Sequence, residues 1–216
     1  MTRAAVLLVL LSALAVGAAL AAPRQSEEAF TKRDDAPFVR GVALGLFATD
    51  PEWDYGALVE EIRARGATDV LVVVNAYQTT RFASDIALRP GRSPSEATVA
   101  RTLAQVRGAG MRAALMPVVR LEQRATHEWR GMITPADGLD AWFASYRRFV
   151  LPLARLAEEA GTERLVIGSE LSSLERYEDR WRRLIMEARE RFSGAMTYSA
   201  NWDHANAVGF WDALDE

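Results

Sequence analysis

The feature that most constrains this chain is the alternation, from residue 38 onward, of five short apolar runs with amphipathic stretches. The strongest run, Asp69 to Asn75, is almost continuously β-branched. That composition suits a strand buried on both faces, as strands of a parallel sheet are. Val39 to Phe47, Met111 to Val119, Arg164 to Gly168 and Met196 to Asn201 are the other expected strands. Between them, apolar residues recur at helical spacing. Leu58, Val59 and Ile62 mark the first helix, closed by Gly66; Val99, Leu103 and Val106 mark the second, with Ser95 as the expected N-cap. Leu139, Trp142, Phe143, Tyr146, Val150, Leu153 and Ala157 stripe the third, and Tyr177, Trp181, Leu184, Ile185, Ala188 and Phe192 the fourth. Pro117 is expected near the end of its strand, because proline cannot donate to a ladder.

Strict β-α alternation leaves two architectures, a doubly wound sheet or a (β/α)8 barrel of the TIM type. The doubly wound reading wants a Gly-x-Gly-x-x-Gly turn after the first strand. Here Gly41 and Gly45 fall inside the strand, and the turn Ala48-Thr49-Asp50-Pro51-Glu52-Trp53 has no glycine cluster. Dinucleotide binding is unsupported, and no cofactor is expected. A barrel gathers its functional residues at the C-terminal strand ends. The polar and aromatic residues collect there: Asn75-Ala76-Tyr77-Gln78, Arg120, Ser169-Glu170 and Asn201-Trp202-Asp203.

The first residues read as an export signal. A short basic start is followed by an uncharged run, Ala4 to Ala22, that ends in small residues before Pro23. Residues 1–22 are therefore expected to be cleaved, residues 23–37 to form a polar linker, and the protein to be periplasmic or extracellular. An uncleaved membrane anchor is the other reading of the same run. Removing residues 1–22 takes one arginine from the 26 basic residues and none of the 29 acidic ones, leaving a net charge of −4. That balance argues against a nucleic-acid partner, which would want a basic face. There is no cysteine, so neither a disulfide framework nor a lipid-attachment cysteine is present. His127 and His204 lack the paired spacing of a metal site, and no metal is expected.

Glu170 is the leading catalytic candidate. It follows Leu165-Val166-Ile167-Gly168 directly, where a carboxylate would face a barrel mouth. Glycoside hydrolysis needs two carboxyl groups flanking the scissile bond, one of which protonates the leaving oxygen. The plainer reading is a glutamate opening the next helix, where the helix dipole favours it. Trp142 and Trp181 keep helical register with apolar neighbours and are expected in the core. Trp53, Trp129 and Trp202 fall in strand-to-helix loops, where an indole either stacks on a sugar ring or anchors its loop.

Several segments together resemble glycoside hydrolase family 113: Trp129-Arg130-Gly131-Met132-Ile133, Gly168-Ser169-Glu170-Leu171, Trp181-Arg182-Arg183-Leu184-Ile185, and Thr197-Tyr198-Ser199-Ala200-Asn201-Trp202-Asp203. Phe210 to Asp215 is similar to that family's approach to its sixth strand. The resemblance implies a (β/α)8 barrel and a retaining hydrolase of β-mannan-like polysaccharide or oligosaccharide, with Glu170 as acid/base. It places Trp129, Arg130, Asn201, Trp202 and Asp203 on the substrate side, and Asn75 joins them from its position at a strand end. Pro117-Val118 departs from the family's Pro-His type pair, so one polar sugar contact is expected to be absent.

In such a barrel the nucleophile follows the seventh strand, and closure takes about 250 residues. The expected architecture is thus a barrel truncated after about five β/α units, with the nucleophile beyond Glu216. A non-catalytic carbohydrate-binding or remnant barrel is the alternative. Five strands alone would leave an open edge and uncovered apolar faces. The chain by itself is expected to be poorly soluble and inactive, and a soluble monomer that hydrolyses mannan would contradict this.

Overall fold

The structure is a computed structural model and describes residues 38–216. The signal expected over 1–22 and the linker expected over 23–37 lie outside the described residues. Five parallel strands, β1 (Gly41–Gly45), β2 (Asp69–Gln78), β4 (Arg112–Leu121), β5 (Arg164–Ser169) and β6 (Ala195–Ser199), lie side by side in chain order. The two-residue β3 (Ile86–Ala87) runs antiparallel against the end of β2. The helices are α1 (Gly56–Ala64), α2 (Glu96–Gly108), α3 (Leu139–Glu159), the single turn α4 (Ser172–Glu175) and α5 (Glu178–Arg189). The strand order never reverses. With right-handed crossovers, each step in one direction lays its helix on the same face of the sheet. A doubly wound sheet reverses midway, so this is the arc of a barrel.

The helix-facing side of the sheet holds the core. Leu44, Val72, Leu115, Leu165 and Met196 meet Val99, Leu103, Val106, Trp142 and Trp181 there, all buried. The expected helical stripes are largely realised, and Ser95 caps α2 by accepting the Thr98 amide at 3.1 Å. Gly66 and Gly110, at φ of 81° and 78°, end α1 and α2 in the left-handed region that glycine takes without cost. Leu58 is the exception among the expected core residues and is exposed. It precedes Val59 by one position, about 100° around the helix, so only one of the two can face inward.

Two strand expectations are corrected. β2 continues past Asn75 to Gln78, because β4 pairs with it in register through Leu121 and β3 adds to Tyr77 and Gln78. Asn75 therefore sits within the strand and is buried. Pro117 lies inside β4, paired opposite Val74, and not at its terminus. The β4–β5 ladder covers only Ala114 and Leu115. Ala113 accepts the Glu163 amide on the β5 side, and Pro117 shares its parity. The missing proline N–H thus points where the ladder has already stopped.

β5 ends against an aromatic cluster. Trp181 lies 5.3 Å from both Tyr198 and Phe210, and Trp142 stacks on Tyr146 at 4.8 Å, measured between ring centroids. The Tyr146 hydroxyl donates to the Ile167 carbonyl at 2.9 Å. A Cβ on Gly168 would fall 2.9 Å from Tyr198 Cε2 and 3.1 Å from Trp181 Cη2. Gly168→Ala should therefore cost about 1–3 kcal/mol, as overpacking of a rigid core does. Chemical denaturation checks this; an alanine variant as stable as the parent would mean that the cluster yields freely.

Candidate active site

Gly168 and the bulge between β5 and β6 decide how the chain leaves the sheet. The β5–β6 register runs from Arg164 to Val166, breaks, and resumes at Ser169 opposite Ser199. The next residue, Glu170, has φ of 52° and is the only non-glycine residue with positive φ among the described residues. A side chain in this region costs about 1–3 kcal/mol and persists only where the surroundings over-determine it. Here they do. The Glu170 amide donates to the Ser199 carbonyl at 2.8 Å, and the Leu171 amide donates to the Tyr198 hydroxyl at 2.8 Å. Both peptide units flanking Glu170 are tied to β6.

The Glu170 side chain is held from the other side by Arg130, on a single 3-10 turn (Arg130–Met132) in the loop after β4. Arg130 Nη2 donates to Glu170 Oε2 at 2.6 Å, and its Nε donates to the Ser169 carbonyl at 3.1 Å. Both side chains are about a third exposed or less. The carboxyl is neither sealed in the core nor free in solvent, and its direction is set by a charge-assisted hydrogen bond. The Arg130 loop is itself fastened to the loop after β2. Arg81 pairs with Glu128 at 2.8 Å, and the Thr134 and Ala136 amides donate to the Arg81 and Phe82 carbonyls. Trp129 lies flat against Gly131, with ring atoms where a Cβ would sit.

Of the residues expected at the site, Glu170 and Arg130 are brought into direct contact, and Trp129 precedes Arg130. Asn201, Trp202 and Asp203 follow β6, the strand that holds the Glu170 backbone. Trp202 is 90% exposed among the described residues. Asn75 makes no side-chain hydrogen bond to this group; its carbonyl accepts from the Ser93 hydroxyl, and its Nδ2 has no partner among the described residues. Trp142 and Trp181 are fully buried, as expected of core residues. His127 and His204 are exposed, and no cluster of three His, Cys, Asp or Glu side chains suited to a metal occurs among the described residues.

Sequence reasoning missed the layer beneath. Tyr198 and Glu175 are both buried, and the Tyr198 hydroxyl donates to Glu175 Oε1 at 2.8 Å. Burial pushes the Glu175 carboxyl up from the ordinary range and holds the Tyr146 and Tyr198 phenols well above theirs. Nothing local distinguishes Glu175, placed between Leu174 and Arg176, from a solvated helical glutamate.

The sequence profile of Glycoside Hydrolase Family 113 matches residues 45–216. Among solved structures, a GH113 β-1,4-mannanase superposes with a TM-score of 0.76 at 25% identity, over 83% of this chain and 61% of that one. The GH113 β-mannanase AaManA from Alicyclobacillus acidocaldarius, in complex with ManMIm, gives 0.76 at 25% identity over 84% and 60%. A GH5_18 structure from Bifidobacterium longum subsp. longum, at 16% identity and a TM-score of 0.51 over 76% and 44%, shares the fold alone. No curated protein sequence matches. The chain thus spans about three fifths of the length of the solved mannanases it resembles. Over nearly all of its described length, this chain belongs to glycoside hydrolase family 113.

Proposed function

We propose that the chain carries the acid/base half of a retaining β-mannan hydrolase, with Glu170 as the catalytic acid/base and the nucleophilic carboxylate supplied from outside residues 38–216. The observation that carries this reading is the Glu170 turn itself: a left-handed glutamate at a barrel strand's C-terminal end, its carboxyl oriented by Arg130. A backbone conformation that costs free energy, placed where barrel enzymes do their chemistry, favours function over helix capping. The α4 turn that follows begins at Ser172, so Glu170 lies outside the helix it would have opened.

In the first step the Glu170 carboxyl gives its proton to the glycosidic oxygen as the nucleophile attacks the anomeric carbon and the leaving sugar departs. Arg130 then steadies the carboxylate that remains. In the second step this carboxylate takes a proton from the water that attacks the glycosyl-enzyme bond, which restores both groups. Trp129, Asn201, Trp202 and Asp203 are read as substrate contacts, with the exposed Trp202 indole as a stacking face for a sugar ring. The mannanase likeness supports β-mannan as the substrate class, and residues 1–22 are read as an export signal that places the enzyme outside the cytoplasm.

In the complete barrel enzyme, Glu170→Gln should lower turnover of β-1,4-mannan by roughly 10²–10⁴-fold, the usual worth of general acid–base catalysis. Binding of the sugar should survive. Initial rates and oligosaccharide titration check this, and unchanged turnover would remove Glu170 from the mechanism.

A further inference from the structure

We propose that Glu175 is a positioning residue for Glu170, acting through the Tyr198 hydroxyl and the Leu171 amide. The inference rests on the reading of Glu170 as acid/base. Glu175 is 1% exposed, and a carboxyl so buried is costly unless it is hydrogen-bonded. Its Oε1 accepts the Tyr198 hydroxyl proton at 2.8 Å, and its Oε2 has no partner among the described residues. A phenol carries one proton and two lone pairs. With the proton directed at Glu175, a lone pair faces the Leu171 N–H, which donates to it at 2.8 Å. Glu175 therefore sets the direction of the hydroxyl rotor. Without that acceptor, the same proton could swing toward the Leu171 amide and oppose it.

Leu171 is one peptide bond beyond Glu170. Its amide and that of Glu170, bound to the Ser199 carbonyl, are the two points that keep Glu170 in the left-handed region. Glu175 thus reaches the catalytic carboxyl through the backbone, from a position buried below it. Burial pushes the Glu175 carboxyl toward its neutral form, and a neutral carboxyl still accepts through one oxygen. A glutamine should do the same. The rigid wall around the relay, with Trp181 donating to the Leu174 carbonyl at 3.0 Å, keeps the α4 turn in place while the polar group changes.

The test compares Glu175→Leu, Glu175→Gln and Tyr198→Phe with Glu170→Gln in the complete barrel enzyme. Two substrates are used, β-1,4-mannan and an aryl β-mannoside with a good leaving group. Misplacing a catalytic group by about 1 Å costs about 10²-fold. Glu175→Leu and Tyr198→Phe should lose about that much kcat on mannan, with KM little changed. On the aryl substrate, whose leaving group needs no proton, they should keep kcat/KM near the parent's, while kcat falls because the second step still needs Glu170 as base. Glu175→Gln should stay within a few-fold of the parent on both. A merely structural role would lower kcat/KM on both substrates alike, and that result overturns the inference. If Glu175→Leu does not fold, Tyr198→Phe decides, since it removes one oxygen and keeps the ring. Loss of mannan turnover in Glu170→Gln, with full turnover in Tyr198→Phe, overturns this inference alone. Retained turnover in Glu170→Gln overturns the acid/base reading and this inference with it.

Discussion

The mouth of the sheet is organised by the way β5 ends. Gly168 is pressed against Tyr198, Trp181 and Tyr146 with no room for a side chain, and two residues later the chain turns through the left-handed region at Glu170. The turn is tied on both flanks to β6, by the Glu170 amide on Ser199 and the Leu171 amide on Tyr198. Arg130, arriving from the loop after β4, completes the enclosure from a third direction. Three neighbouring β/α units thus converge on one carboxyl, and each depends on the register of the parallel sheet.

The energetics are consistent with that convergence. A glutamate in the left-handed region costs about 1–3 kcal/mol. Each net hydrogen bond contributes about 0.5–1.5 kcal/mol, so a pair of amide bonds to β6 is of the size needed to offset it. The aromatic cluster adds stiffness, because its rings are buried and in edge or stacked contact. Its polar atoms are spent on backbone ends: Tyr146 on the Ile167 carbonyl, Trp181 on the Leu174 carbonyl and Tyr198 on the Leu171 amide. Two of these, the Ile167 carbonyl and the Leu171 amide, are backbone groups that the irregular end of β5 leaves without ladder partners. Packing and site geometry are therefore one structure, and a change in the cluster is felt at Glu170.

Much of this was legible in the sequence, for reasons that differ by residue. The β-α alternation announced parallel strands, and the β-branched run from Asp69 to Asn75 suited a strand buried on both faces. Trp142 and Trp181 declared themselves core by keeping register with apolar neighbours, and Glu170 was marked by following a strand directly. The end of β2 and the interior place of Pro117 were hidden, because both depend on where neighbouring ladders stop, and ladder length is a tertiary property. The contact of Arg130 with Glu170 joins residues forty positions apart, and spacing carries no information about it. Glu175 was invisible for a similar reason: its burial comes from β6 and the aromatic cluster, not from its own segment.

A product analysis distinguishes Glu170 as the acid/base of a retaining mechanism from every other role. In the complete enzyme carrying Glu170→Ala, azide is offered with an aryl β-mannoside whose leaving group needs no protonation. A glycosyl-enzyme that lacks its general base should be intercepted by this small anion. Azide should accelerate turnover, and the product should be the β-mannosyl azide, with configuration retained. An α-mannosyl azide would make Glu170 the nucleophile, and no acceleration at all would remove it from the chemistry.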